Sequence, residues 1–231
     1  MKLLAIETST LAGGVALMGE EGLIAEIRLH VETRHSERLL PAIDRLFLDG
    51  GIGLADLDAI AVSIGPGSFT GLRVGLGTAK GLAMGSGKPL IGVPTLEAMA
   101  AQFPYARLFV APMLVARRNE VYWALFDLRD GRPVRLRADA AASPEQILEE
   151  VGQVDQPILF VGEGAERHAE LLQAGRAEKA LFPPKQFRFP SAAGVAELGL
   201  ERLKRGETLS PEEATPIYVR ASSAELNWRE K

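Results

Sequence analysis

The chain has 231 residues, 47% of them hydrophobic and 24% charged, with a formal net charge of −4 and no cysteine. That composition fits a globular protein with room for two small domains and excludes disulfide and thiol chemistry. It also lacks the basic surplus that an independent grip on nucleic acid requires. No apolar run reaches the roughly 18 residues of a membrane span. Glu7 interrupts the first apolar run too early for a secretory segment, so no membrane association and a cytoplasmic location are expected.

In chain order, Lys2–Thr8, Gly13–Met18 and Leu23–Leu29 alternate or cluster apolar residues between Gly-rich or acidic turns, which predicts three strands joined as hairpins. A helix follows, with Ser36 as its N-cap, Leu39, Leu40, Ile43, Leu46 and Phe47 on one face, and Gly50-Gly51 as its stop. Ala59–Ile64 reads as a buried strand. It leads into Gly65-Pro66-Gly67-Ser68-Phe69-Thr70-Gly71-Leu72-Arg73-Val74-Gly75, a glycine elbow opening the helical stretch Leu72–Gly85. A short strand at Leu90–Val93 and a helix from Thr95 to Gln102 close the first half.

The second half repeats that opening. Arg107–Val115, Glu120–Leu128 and Arg132–Arg137 predict three strands, with a turn at Asp130-Gly131. Ser143-Pro144-Glu145-Gln146 is a capping box with proline at the first helical position. Strand Pro157–Val161 and helices over Ala165–Gln173 and Ala192–Arg205 follow. Three strands, helix, strand and helix, met twice, predict a duplicated α/β architecture with mixed sheets, divided near Phe103-Pro104-Tyr105 into residues 1–104 and 105–231. The second part is the reduced one, and the polar residues from Ala221 onward read as a loosely held end.

The elbow has the place of an anion-binding turn, between a strand and a helix N-terminus. It is not a Walker loop, because Gly-x-x-x-x-Gly-Lys-Ser/Thr is absent from it. It is not Gly-x-Gly-x-x-Gly, since Thr70 stands at the third glycine. The same Thr70 breaks the Gly-x-Ser-x-Gly nucleophile pattern around Ser68. Within the helix, Gly77, Gly81 and Gly85 recur every four residues and form a ridge without side chains. Each interior glycine costs about 1 kcal/mol relative to alanine. Close packing on the chain's own sheet, or against a helix of another subunit, would offset that.

Four segments carry a resemblance: Leu4-Ala5-Ile6-Glu7-Thr8-Ser9-Thr10, the elbow, Arg117-Arg118-Asn119-Glu120-Val121-Tyr122, and Pro216-Ile217-Tyr218-Val219-Arg220. In this order and spacing the chain resembles the TsaB (YeaZ) family, bacterial relatives of the actin/sugar-kinase/Hsp70 fold. The resemblance implies a role in making threonylcarbamoyladenosine beside the anticodon of tRNA, as a non-catalytic subunit that pairs with and activates a TsaD-like paralogue. A TsaE-like ATPase joins that pair, and tRNA is reached only through the complex. ATP and a divalent metal are expected in the partner subunits and none in this chain. One departure is Val115, where the family commonly has aspartate before Ala-Arg.

The paralogue carries a His-x-x-x-His metal pair where this chain has Thr95 and Met99, neither of which suits a hard or borderline divalent ion. His30 and His35 are five apart across a strand-to-helix turn; Glu32 and Glu37 lie near them, but the spacing does not make a metal site. His168 stands in a charged helical stretch and reads as solvated. Glu7, Thr8, Ser9 and Thr10 occupy the place of a phosphate-binding hairpin in sugar-kinase-like folds, and Val161-Gly162-Glu163-Gly164 faintly echoes an adenine-binding turn. A polar hairpin that caps the sheet is the simpler reading. A free-standing ATP-dependent phosphotransferase is the alternative function. The expected partner face comprises Leu39, Ile43, Leu46, Leu72, Leu76, Gly77, Lys80 and Gly81, drawn from two helices that build a four-helix contact with the paralogue or, in its absence, with a second copy.

Overall fold

Each half of the strand pattern forms its own five-stranded sheet in the computed structural model, which describes residues 1–30, 35–117 and 119–219. In the first sheet, β1 (Lys2–Glu7), β2 (Ala12–Gly19) and β3 (Gly22–His30) form an antiparallel meander. Helix α1 (His35–Gly50) crosses to β4 (Ala59–Gly65), which lies parallel to β1, and α2 (Phe69–Ser86) crosses to β5 (Leu90–Pro94), parallel to β4. The strand order is β3-β2-β1-β4-β5. A short helix, α3 (Thr95–Ala100), follows.

The second sheet uses β6 (Phe109–Arg117), β7 (Glu120–Asp127) and β8 (Val134–Ala142) as its meander. Helix α4 (Pro144–Val151) leads to β9 (Ile158–Val161), parallel to β6. Helices α5 (Glu163–Arg167) and α6 (Ala169–Arg176) lead to β10 (Ala180–Leu181), parallel to β9. The order β10-β9-β6-β7-β8 is the topology of the first sheet read from its other edge. The duplicated α/β architecture with mixed sheets is therefore present strand for strand. The last described helix is α7 (Ala192–Lys204).

The described residues divide into two compact units, Met1–Ala98 with Pro190–Pro216, and Met99–Phe189 with residues 217–219. This differs from a simple cut at 104, because α7 returns to the first sheet. The reason lies in β1, whose residues Leu3 to Glu7 are all buried, as in a strand covered on both faces. One face packs Leu4, Ile6 and Val62 against Leu39, Ile43 and Leu46 of α1 and Leu76 of α2. The other lies under α7, where Gly199 stands so close that an added Cβ would be 2.7 Å from the Ala61 Cβ. The second unit has its own core around Trp123, Ile147, Phe160 and Leu172.

Several expected boundaries shift. Ser36 lies inside the first turn of α1 and does not cap it. The elbow helix starts at Phe69, three residues earlier than its apolar stripe indicates, because Ser68 caps it by accepting from Gly71 N at 3.2 Å. The stretch Ala165–Gln173 is two helices, broken at His168 (φ −113°, ψ 20°). The capping box holds: Ser143 Oγ accepts from Gln146 N at 3.3 Å and Gln146 Oε1 from Ser143 N at 2.9 Å. Glu32, Arg118, Arg220 and the end from Ala221 fall outside the described residues.

Candidate functional site

The glycines of the elbow are explained by what lies against them. The turn between β1 and β2, residues Thr8 to Leu11, runs directly beneath the elbow. Ser68 N donates to Ser9 O at 2.6 Å, and Thr8 Oγ1 donates to Gly71 O at 2.8 Å. A Cβ at Gly67 would sit 2.4 Å from Ser9 O, one at Gly71 2.0 Å from Thr8 O, and one at Gly75 2.1 Å from Thr8 Oγ1. Real Cβ atoms do not approach oxygen so closely, so no side chain fits at these three positions. The elbow is a clasp on the first hairpin.

That clasp decides the fate of the candidate phosphate-binding residues. Glu7, Thr8, Ser9 and Thr10 are brought together as expected, but all four are buried. Their polar atoms turn inward. Glu7 Oε1 accepts from Ser9 N at 2.6 Å and from Ser9 Oγ at 2.5 Å, and Thr10 Oγ1 donates to Ala12 O at 3.0 Å. All three hydroxyls are thus engaged within the clasp. A phosphate needs donors pointing outward, so the side chains of Glu7, Thr8, Ser9 and Thr10 serve as a structural latch and not as phosphate ligands. Burial raises the Glu7 carboxyl above its ordinary value, against the opposing pull of the Ser9, Ser63 and Arg28 groups.

The histidines are engaged in other ways. His35 Nε2 donates to Thr10 O at 2.7 Å, and its ring fills the space above Gly13, where an added Cβ would be 2.6 Å from Nδ1. His35 and Arg38 border a pocket of about 30 Å³ beside Gly13 and Gly14, room for little more than a water. His168 is half-buried, contrary to the solvated position expected, and burial lowers its pKa. Thr95 and Met99 are both fully buried. Among the described residues no group of three or more His, Cys, Asp or Glu side chains could hold a metal ion. Nor, among the described residues, is any helix long and apolar enough to cross a membrane.

The adenine-like turn has a steric cause as well. A Cβ at Gly162 would lie 2.3 Å from Met113 O, and one at Gly164 would lie 3.0 Å from the same atom. Val115 sits half-buried opposite Val121 in the β6–β7 ladder, where it needs no polar partner.

The expected partner face resolves into two sets. Leu39, Ile43, Leu46, Leu72 and Leu76 are buried inside the chain itself, so they cannot form the outer surface of either helix. Gly77 and Gly81 are exposed and Lys80 is half-buried. Added Cβ atoms at Gly77, Gly81 and Gly85 would meet nothing within 4 Å. Packing on the chain's own sheet therefore does not account for this ridge. The side chains that α1 and α2 do present include Leu40 (52% exposed), Leu48 (74%) and Met84 (68%). Sequence periodicity points at the wrong leucines here, because a stripe facing the core and a stripe facing a partner obey the same repeat.

Comparison with known proteins places this geometry. The family model described as "TsaD: tRNA N6-adenosine threonylcarbamoyltransferase" matches residues 28–228. The tRNA threonylcarbamoyladenosine biosynthesis protein TsaB of Bacillus subtilis (strain 168) is 32% identical over 100% of this chain and 99% of its own length. The chain belongs to the TsaB family. The Escherichia coli (strain K12) TsaB is 33% identical over 97% of this chain and 96% of its own length. A Pseudomonas aeruginosa crystal structure described as similar to peptidase YEAZ superposes with a TM-score of 0.82 and 30% identity, over 95% of this chain and 99% of that one. More distantly, a ROK hexokinase from Thermus thermophilus shares the fold at a TM-score of 0.52 and 12% identity, over 88% of this chain and 100% of that one. This TsaB-family chain thus shares the fold of a sugar kinase, with its first hairpin clasped by the elbow.

Proposed function

We propose that this chain is the non-catalytic activating subunit of the complex that transfers a threonylcarbamoyl group to tRNA. Its relatives in Bacillus subtilis and Escherichia coli are named for threonylcarbamoyladenosine biosynthesis, which supports the pathway. The observation that carries the subunit's role is the bare ridge Gly77-Gly81-Gly85, which faces open space along an eighteen-residue helix. Three glycines retained at a cost of about 1 kcal/mol each fit a surface on which another backbone lies. The partner is a TsaD-like paralogue, and a TsaE-like ATPase completes the assembly. ATP and a divalent metal belong to those partners, and tRNA is met through the complex, since a net charge of −4 gives this chain no basic footprint. Without the paralogue the same face pairs with a second copy, and the assembly works in the cytoplasm.

Reconstitution tests this reading. Paralogue, ATPase and donor-making enzyme are combined with tRNA, threonine, bicarbonate and ATP, with and without this chain. Modification is expected only when the chain is present, and a chain carrying Gly77→Leu and Gly81→Leu should stay folded yet fail to restore it. Full modification without the chain, or ATP turnover by the chain alone, would overturn the reading. Normal pairing of the double variant would remove the ridge from the interface.

A further inference from the structure

Arg28, Gly14, Glu7 and Ser63 stand side by side across the first sheet. Arg28 pairs with Gly14 and Gly14 with Glu7. Ser63 is one step past Val62, the partner of Ile6, so it falls level with Glu7. Ser63 in turn pairs with Val93, two residues before Thr95 opens α3. Alternate residues of a strand share a face, and this row shares the face of Ala61, which packs on α7 at Gly199. An added Cβ at Gly14 would lie 3.6 Å from Ala192 Cβ. The row therefore lies beneath the first turn of α7.

Three oxygens in this region are buried with no protein partner in full hydrogen-bond geometry, Glu7 Oε2, Ser63 Oγ and Thr95 Oγ1, although the Ser63 hydroxyl acts on the Glu7 carboxyl and opposes the rise in its pKa. Their residues are 1%, 0% and 0% exposed. Buried polar atoms are ordinarily paired, with ordered water as the common remedy where protein groups fall short. The N-terminus of α7 does not supply the missing donors. Gly194 N donates to Ser191 Oγ and Ala193 N to Glu26 Oε1, each at 3.0 Å.

We infer that Glu7, Ser63 and Thr95 hold one internal water, joining the carboxyl ends of β1 and β4 to the start of α3. A water offers two donors and two acceptors, which suits one carboxyl and two hydroxyls. An anion would face the Glu7 oxygens. A hard cation takes six or more oxygen ligands and finds a single carboxyl here, with the positive charge of Arg28 acting on it. The carboxyl ends of strands are where open α/β sheets bind ligands, and in this sheet that place is filled by a hydrogen-bonded plug. Burial raises the pKa of the Glu7 carboxyl, and a water, with donors and acceptors of its own, bridges that carboxyl to the two hydroxyls. The charged groups around it are Arg28 and Glu26 of β3, while Glu97 of α3 is occupied by Arg202 at 3.0 Å.

A crystal structure of the full chain at high resolution, together with melting curves against pH, tests the site. Density for one water within hydrogen-bond distance of all three oxygens is expected; an empty site or a metal ion there would overturn the inference. A raised carboxyl value means the folded state holds its proton more tightly, so this group's contribution to stability is full below about 4.5 and is lost as pH rises through the folded value. Glu7→Gln should remove that fall in melting temperature. Ser63→Ala should lower the melting temperature at every pH and leave the fall in place, a readout that stands if Glu7→Gln does not fold. An unchanged fall in Glu7→Gln, or a melting temperature raised by Mg²⁺ or Na⁺ in the parent chain and not in Glu7→Gln, would sink the water site.

Discussion

The two sheets have the same strand order, and the segment after the fourth strand is where they part. In the first unit β4 runs through the elbow into an eighteen-residue helix, and the five-residue strand β5 follows. In the second, β9 runs into helices of five and eight residues broken at His168, and the strand that follows has two residues. Chain length is not the cause, since 24 residues separate Gly65 from Leu90 and 18 separate Val161 from Ala180, a segment still long enough for one continuous helix. What differs is the service each helix performs. The continuous helix has two unlike sides, an inner one pressed on a hairpin and an outer one left bare. The broken pair covers its own sheet, with Leu172 of α6 buried in the core.

The strongest way to break that picture is to fill the inner side of α2. Gly71→Ala would place a methyl group 2.0 Å from Thr8 O, a backbone atom held on a central strand's turn. Overpacking of this kind costs about 3 kcal/mol, and urea unfolding should show it as a lower midpoint with the slope unchanged. A variant as stable as the parent would mean that the clasp is loose.

The inner side also shows where sequence reading succeeds and where it stops. The meanders, the capping box at Ser143 and the duplicated topology are legible because they rest on local periodicity and turn chemistry. The return of α7 to the first sheet is not legible, since an amphipathic helix carries no mark of which sheet it will cover. The glycine elbow reads as an anion loop because a backbone approaching a phosphate and a backbone approaching Ser9 O make the same demand on side-chain size. The same ambiguity misassigned Leu39, Ile43, Leu46, Leu72 and Leu76 to the outer surface. Among the residues expected at the interface, Gly77 and Gly81 are the ones that do face outward, and they could be told apart only by the cost of glycine in a helix.

Between the extremes lie two of the caps, one from each unit. Ser143 Oγ serves α4 in a reciprocal box with Gln146, while Ser68 Oγ serves α2 alone. Replacing either by alanine should cost about 1 kcal/mol. Ser68 also anchors the elbow through its backbone N–H, which donates to Ser9 O at 2.6 Å. That backbone bond persists in the alanine variant, so the two losses should be similar. A much larger loss at Ser68 would show that its hydroxyl supports the clasp and not the helix alone.

The smallest effect is the most telling, because its sign reverses along one helix. Gly81 is exposed, lies in the interior of α2, and an added Cβ there meets no atom within 4 Å. In the isolated chain Gly81→Ala should therefore raise stability by about 0.5–1 kcal/mol, from the alanine's higher helix propensity and the smaller freedom of the unfolded chain. A methyl group at a close backbone contact should at the same time weaken pairing with the paralogue. Melting of the chain alone and affinity for the paralogue should thus move in opposite directions. If Gly81→Ala gains stability and pairs as well as the parent, the glycine is not there for the partner, and the ridge has some other cause. If it loses stability in isolation, the open space beside Gly81 is already filled by a second copy of the chain, and the measurement must be repeated at dilutions where that copy dissociates, where the gain should reappear.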